Sequence, residues 1–317
     1  MSRLLEEINK ANSIGICGHI RPDGDCLGSV TAMYNYIKDN YSEKNVKVFL
    51  ESVPEKFTYL KRSDEIITSF EEDMEFDLFI ALDSGDIGRI GPAIKYFENA
   101  KYRFVIDHHI SNNGYGDENV VIPKASSACE VLFGLLDYDS ISYDVAVSLY
   151  TGLIHDTGVF KHSNVSAKTF EVAGKLIEKE IPFSKIIDES FYAKTYTQNQ
   201  ILGRCLLESM LCLDGRCIVS CLSRRQLAFY GATPADLDGI IDQLRITKGT
   251  EVAILIYETG EQEYKVSLRS NGDVDVNKIA SYFGGGGHIK AAGCTMSGAV
   301  HDVINNLTEH IEKQLEA

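Results

Sequence analysis

The segment GHIRPDGDCLGS, residues 18–29, places His19, Asp23 and Asp25 within seven residues, directly after the short apolar run Ile14-Gly15-Ile16-Cys17. An imidazole and two carboxylates this close repel and desolvate one another unless water or a cation compensates them. Metal-assisted hydrolysis is the chemistry such a cluster suits. Other potential ligands follow other apolar runs: Asp83 after Leu78–Leu82, Asp107-His108-His109 after Phe104-Val105-Ile106, and Asp156 after Leu149–Ile154. Imidazole plus several carboxylates, with no thiolate demanded, suits Mn²⁺, Fe²⁺, Co²⁺ or Zn²⁺, whereas an all-oxygen set favours Mg²⁺ or Ca²⁺. Five or six such ligands exceed what one open catalytic ion needs. Two ions roughly 3.5–4 Å apart, sharing one carboxylate, would use them all and stabilise both ends of an in-line displacement at phosphorus.

The elements that must position these groups alternate apolar strand-like runs with amphipathic helical segments, an α/β rhythm. Strands are predicted at Ser13–Cys17, Val46–Leu50, Asp77–Leu82 and Arg103–Ile106, and helices at Cys26–Lys38, Ser126–Leu136, Val145–Ile154 and Ser166–Lys179. In an open parallel sheet, sites form beyond the carboxyl ends of the strands, so clusters after separate strands should converge there. From about Ile181 to Gln200 the pattern turns polar and aromatic, as expected for a linker or connecting helices. Beyond it, Asp214-Gly215 predicts one hairpin and Thr259-Gly260 a second, inside a smaller mixed α/β domain. The expected organisation is an α/β parallel-sheet domain over 1–185 with helices on both faces, which carries the ligand clusters, a linker over 186–200, and the smaller mixed α/β domain over 201–317.

Composition narrows the partners. The chain has 317 residues, 44% of them hydrophobic, and a formal net charge of −15. That charge argues against gripping a long nucleic-acid backbone, which requires many cations to release counterions. Short anionic substrates stay compatible, because local metal ions and arginines can hold a few phosphates. No stretch approaches the roughly 20 apolar residues of a membrane span, and the charged start is unlike a signal peptide. Eight scattered cysteines without a CxxC pair read as reduced thiols, so the expected location is the cytoplasm. Cys212, Cys217 and Cys221 read as small buried thiols rather than a zinc site.

In the second half, the run Gly284–Gly287 lets backbone approach a phosphate closely, His288 follows it, and Arg269 offers a planar fork to phosphate or a base edge. Singly, several residues have plainer readings. Asp83 and Asp156 can be turn or N-cap residues, Arg21 can contact phosphate or pack its loop, His155 and His162 read as structural, and Ser126 or Ser127 caps a helix.

Taken together, the motifs resemble the DHH family of phosphoesterases. RPDGDCLGS (21–29), LDSGD (82–86), DHH (107–109) and TGLIHDTGVF (151–160) match that family's four catalytic motifs in order, and residues 267–293 are similar to its associated C-terminal domain. Size and domain pairing most resemble the nanoRNase/pAp-phosphatase subgroup. The resemblance implies two divalent ions, Mn²⁺ first among them. His19 and Asp23 would hold one ion, Asp25, His108 and Asp156 the other, and Asp83 would bridge them. His109 would orient a ligand or donate a proton, with Asp83 and His109 counted as catalytic. By the same resemblance the domain over 201–317 would be substrate-binding, with Arg269, Gly285, Gly286, Gly287 and His288 binding substrate and the active site in the cleft between the two domains. The implied substrates are short RNA oligonucleotides and 3′-phosphoadenosine 5′-phosphate (pAp), with no long duplex nucleic acid and no membrane as partner, and a homodimer is an open expectation. Two alternatives remain at this point: a phosphodiesterase of cyclic or linear dinucleotides, and a non-catalytic nucleotide- or RNA-binding module.

Overall fold

Five strands line up as a parallel sheet in the computed structural model, which describes residues 2–316. The strands are β1 (Ser13–Cys17), β2 (Asn45–Phe49), β3 (Leu78–Leu82), β4 (Tyr102–Asp107) and β5 (Glu118–Val121), in the order β2-β1-β3-β4-β5. β3 is buried at every position, as a strand covered on both faces must be. β5 escapes a reading by apolar runs because Glu118-Asn119-Val120-Val121 stays partly exposed at the sheet edge.

Helices cover both faces. These are α1 (Arg3–Lys10), α2 (Gly24–Asn40), α3 (Ile94–Asn99), α4 (Ala128–Leu135), α5 (Tyr143–Asp156) and α6 (Ala167–Ile177). On one face Ile14, Ile16, Ile80, Leu82 and Ile106 pack with Val30, Met33, Leu132, Leu149 and Leu176. On the other, Phe49, Phe79, Ala81 and Val105 pack with Tyr96 and Phe97 of α3. Gly15 makes room for that second layer, since a Cβ there would lie 2.3 Å from the Phe79 ring.

α2 and α5 cross at two glycines. A Cβ on Gly28 would fall 2.6 Å from the Ser148 carbonyl oxygen and 2.7 Å from the Gly152 nitrogen, both backbone atoms that cannot rotate away. Gly28→Ala should therefore destabilise the protein. Overpacking costs about 1–3 kcal/mol, which outweighs the up to about 1 kcal/mol that alanine adds to a helix. Thermal unfolding should show a melting point lowered by roughly 2–10 °C; an unchanged or raised value would mean the helices separate freely.

The connecting stretch 186–200 is helical for most of its length. α7 (Phe183–Ile186) runs into a π-helical turn (Ile187–Tyr192), and α8 (Tyr196–Leu207) follows. The chain divides into two compact units between Ala193 and Lys194.

The second unit is a six-stranded mixed sheet. It adds β6 (Met210–Cys212), β7 (Cys217–Leu222), α9 (Arg224–Tyr230), α10 (Ile240–Arg245), β8 (Val252–Gly260), β9 (Glu263–Ser270), α11 (Val276–Tyr282), β10 (Gly286–His288), β11 (Ala291–Ser297) and α12 (Val300–Leu315), with sheet order β10-β11-β9-β8-β7-β6. One face packs on α11 and α12 through Ile254, Val266, Leu268 and Cys294, and the other on α8 and α10 through Ile218, Ala253 and Leu255. The turn at Asp214-Gly215 forms with positive φ at both residues. The other hairpin departs from expectation. A register irregularity between Glu258 and Gly260 draws Gly260 into β8, so the turn falls on Glu261-Gln262. The glycine run is also not a free loop, because Gly286, Gly287 and His288 pair with β11. Cys217 is buried while Cys212 and Cys221 are half-buried, and all eight cysteines are free thiols.

Candidate metal centre

The strand order reverses between β1 and β3, and the loops leaving those two strands open the crevice where ligands gather in such sheets. His19 leaves β1 and Asp83 leaves β3. The His19 Nδ1–H donates to the Ile20 carbonyl at 2.8 Å, which turns Nε2 toward Asp23 Oδ1 at 3.6 Å and Asp83 Oδ2 at 3.5 Å. Asp23 is the N-cap of α2, its Oδ1 accepting from the Asp25 and Cys26 N–H groups at 3.1 Å. One residue therefore starts the helix and faces the cluster.

Asp83 is almost fully buried and sits at φ +53, in the left-handed region that non-glycine residues avoid. Its N–H donates to the Ile106 carbonyl of β4. Its two oxygens face opposite ways, Oδ2 to His19 and Oδ1 to His108 Nε2 at 3.5 Å. Asp83 Oδ1 has no hydrogen-bond partner among the described residues. A buried carboxylate oxygen left unpaired costs free energy unless something binds it.

His108 Nε2 also approaches Asp156 Oδ2 at 3.5 Å and Asp25 Oδ2 at 3.9 Å. Asp156 is the last residue of α5, and its carbonyl accepts from Asn164 Nδ2. Asp25 is buried and held from behind: the N–H groups of Ala128 and Cys129, at the start of α4, donate to Oδ2 at 2.6 Å and Oδ1 at 3.0 Å. Sequence reasoning missed this contact. The Ser127 cap on Glu130 N–H was legible as a helix start, but nothing in the sequence says at which carboxylate the helix is aimed.

Asp107 lies wholly buried beneath the histidines. Its Oδ1 accepts from the His108 N–H and from His109 Nδ1–H, both at 2.8 Å, and Oδ2 accepts from Asn112 Nδ2 at 2.7 Å. His109 is thereby oriented with Nε2 outward. His155 packs against Phe57 and Phe191 and bonds the Ser190 hydroxyl, and His162 faces the Asp156 carbonyl.

The electrostatics are those of an incomplete site. Burial opposes charge on His19 and His108, yet the neighbouring carboxylates, Asp23 and Asp83 for the first and Asp83, Asp25 and Asp156 for the second, push both imidazoles up to about 10. Burial, then repulsion from Asp83 and Asp156, raises Asp25 well above the usual carboxylate range. Burial likewise lifts Asp156 to about 6. His19, Asp23 and Asp83 form one group with ligand atoms within 4.8 Å of one another, and Asp25, His108 and Asp156 form another. Either could hold a metal ion.

Residues 13–153 match the model of the DHH family N-terminal domain, and residues 214–317 match the DHHA1 domain. The chain belongs to the DHH family of phosphoesterases. It is 27% identical over 321 residues to the bifunctional oligoribonuclease and PAP phosphatase NrnA of Thermus thermophilus, covering 99% of this chain and 92% of that protein. Identity to NrnA of Bacillus subtilis is 27% over 301 residues, covering 93% of each. An exopolyphosphatase-related protein from Bacteroides fragilis shares the fold, with a TM-score of 0.86 and 23% identity over 98% of this chain and 94% of that one. In the DHH domain the two ligand groups lie on β1, β3, β4, α2 and α5 or the loops that leave them. No helix among the described residues is long and apolar enough to cross a membrane.

In the DHHA1 domain, Arg269, Ala291 and His288 occupy one cross-strand row of β9, β11 and β10, so their side chains share a face. The row beside it holds Ser267, Gly293 and Gly286. Arg269 reaches Asp242 only at 3.8 Å, and His288 is exposed. Gly285 and Gly287 are glycines because a Cβ on either would strike β11, at 2.1 Å from the Gly293 oxygen and 2.4 Å from the Ala291 oxygen. A Cβ on Gly286 would meet nothing nearer than Asn277 Oδ1 at 3.9 Å, and the residue is exposed.

Proposed function

We propose that the protein is a phosphoesterase using two divalent ions, Mn²⁺ in the first instance, to hydrolyse short oligoribonucleotides to mononucleotides and pAp to AMP. The unpartnered Asp83 oxygen, buried between two groups of three potential ligands, carries this reading. The donor set fits: His19 and Asp23 would hold one ion, Asp25, His108 and Asp156 the other, and Asp83 would serve both. When bound, such ions lower the pKa of water and spread the charge developing on phosphoryl oxygens. The side chains supply the rest. Ala128 and Cys129 N–H groups fix the Asp25 carboxylate, leaving its orientation no freedom. The Asp107 hydrogen bond raises the His109 pKa and favours its protonated form, which could deliver a proton from Nε2 to a leaving oxygen.

The row of Arg269 and His288, with Gly286 exposed beside it and Gly285 and Gly287 held against β11, would bind substrate phosphate. Guanidinium and backbone N–H groups suit phosphate. The names of the relatives at 27% identity favour short RNA and pAp over other esters. Purified protein should be titrated with Mn²⁺ on pAp, on RNAs of about two to five nucleotides, on RNA of about 24 nucleotides and on cyclic di-AMP. Hydrolysis of pAp and trinucleotides, abolished by chelation and slow on the long RNA, is expected. Activity indifferent to chelators ends the metal proposal, and preference for long RNA ends the short-substrate proposal.

A further inference from the structure

Residues 2–193 contain five arginines. Arg3, Arg62 and Arg103 each grip a carboxylate, at 2.8 Å from Glu7, 3.1 Å from Asp39 and 2.8 Å from Asp117. Arg21 and Arg89 are exposed, and among the described residues neither guanidinium has an ion-pair or hydrogen-bond partner. Both neighbour the ligand residues along the chain. Arg21 lies between His19 and Asp23, and Arg89 lies on the loop that leaves β3 after Asp83. The two loops are joined: the Ile20 N–H donates to the Arg89 carbonyl at 2.7 Å, and a Cβ on Gly91 would come within 2.4 Å of Ile20 Cγ2.

The backbone at Arg21 is strained. It sits at φ +55 directly before Pro22, where both its own side chain and the following ring disfavour that conformation. The Arg21 N–H donating to Glu51 Oε2 at 2.7 Å holds it there. Strain of this kind concentrates at ligand clamps, and an arginine that merely solubilised a loop would need none of it. The centre itself gathers Asp23, Asp25, Asp83, Asp107 and Asp156, which repel an incoming phosphate.

From this placement we infer that Arg21 and Arg89 form a phosphate clamp, two guanidinium groups that receive non-bridging oxygens of the reacting phosphate on the His19–Asp23 side of the centre. The inference rests on the phosphoester reading for the identity of its anion. Arg21→Ala, Arg89→Ala, their lysine counterparts and the double alanine variant are compared with the wild type, all loaded with Mn²⁺. The probes are pAp, bis(4-nitrophenyl) phosphate as a diester with a single phosphate, and inorganic phosphate binding by calorimetry. Each alanine should lower kcat/KM about ten- to hundred-fold on both esters, weaken phosphate binding in step, and leave Mn²⁺ stoichiometry and melting unchanged. Lysine should restore only part, because an ammonium cannot make the two-pronged contact. Wild-type kinetics and phosphate affinity in the double variant overturn the clamp, as do losses confined to pAp or traceable to lost Mn²⁺. If the wild type hydrolyses neither ester, the phosphoester reading fails on its own, and the clamp stands or falls on arginine-dependent phosphate binding.

Discussion

Asp83→Asn should cost about a thousand-fold or more in kcat on pAp and reduce Mn²⁺ stoichiometry from two to one or none, while the protein remains folded. Asparagine keeps the shape but offers one carbonyl oxygen in place of two anionic ones. Its amide NH₂ would point at His19 or His108, where the carboxylate oxygens now stand at 3.5 Å. Among the described residues no other side chain faces His19 and His108 in the same way, so no neighbour can take over. Asparagine matches aspartate in shape and the residue 83 N–H still donates to the Ile106 carbonyl, so the protein is expected to stay folded. Steady-state kinetics with Mn²⁺ calorimetry and a melting curve check it. Turnover within three-fold of wild type would refute the shared-ligand role.

Metal affinity should climb steeply with pH. His19 and His108 have pKa values near 10 in the metal-free fold, above the ordinary histidine value of about 6.5. Between those values the folded protein keeps both protons, which stabilise the metal-free state there, a contribution lost as pH rises through about 10. A divalent ion needs the neutral nitrogen, so each ion must displace one proton. Apparent Mn²⁺ affinity should therefore rise about ten-fold per pH unit for each site between pH 7 and 8.5. Below pH 6 the fall should steepen, since Asp156, lifted to about 6 chiefly by burial, then also holds a proton. Calorimetry in buffers of different ionisation enthalpy should register at least about one proton released per ion, with more at the site of Asp25, whose carboxyl burial also raises. Affinity independent of pH, with no proton release, would show that the histidines are not ligands.

Much of this centre was legible because its ligands sit next to strand ends. Leu78–Leu82 and Phe104–Ile106 read as buried strands, and each is followed at once by its chemistry, Asp83 and Asp107-His108-His109. β5 was not legible, being short and half-exposed, and the hairpin near Gly260 was misplaced because a bulge depends on the partner strand. The glycine run read as a phosphate loop. Its glycines at 285 and 287 also answer to β11, a contact between segments that no local pattern reports.

Residue type and spacing alone established that histidines and carboxylates gather after strands, which elements carry them, and that water or a cation must offset their charge, since these follow from local periodicity and from the repulsion of like charges. The tertiary structure decided which oxygen of Asp83 faces which histidine, that α4 clamps Asp25, that Asp107 aims His109, and that Arg21 and Arg89 stand on two joined loops. Those are directions in space between segments as much as about a hundred residues apart. A chain's local preferences fix its strands and helices, but only packing fixes where their ends point.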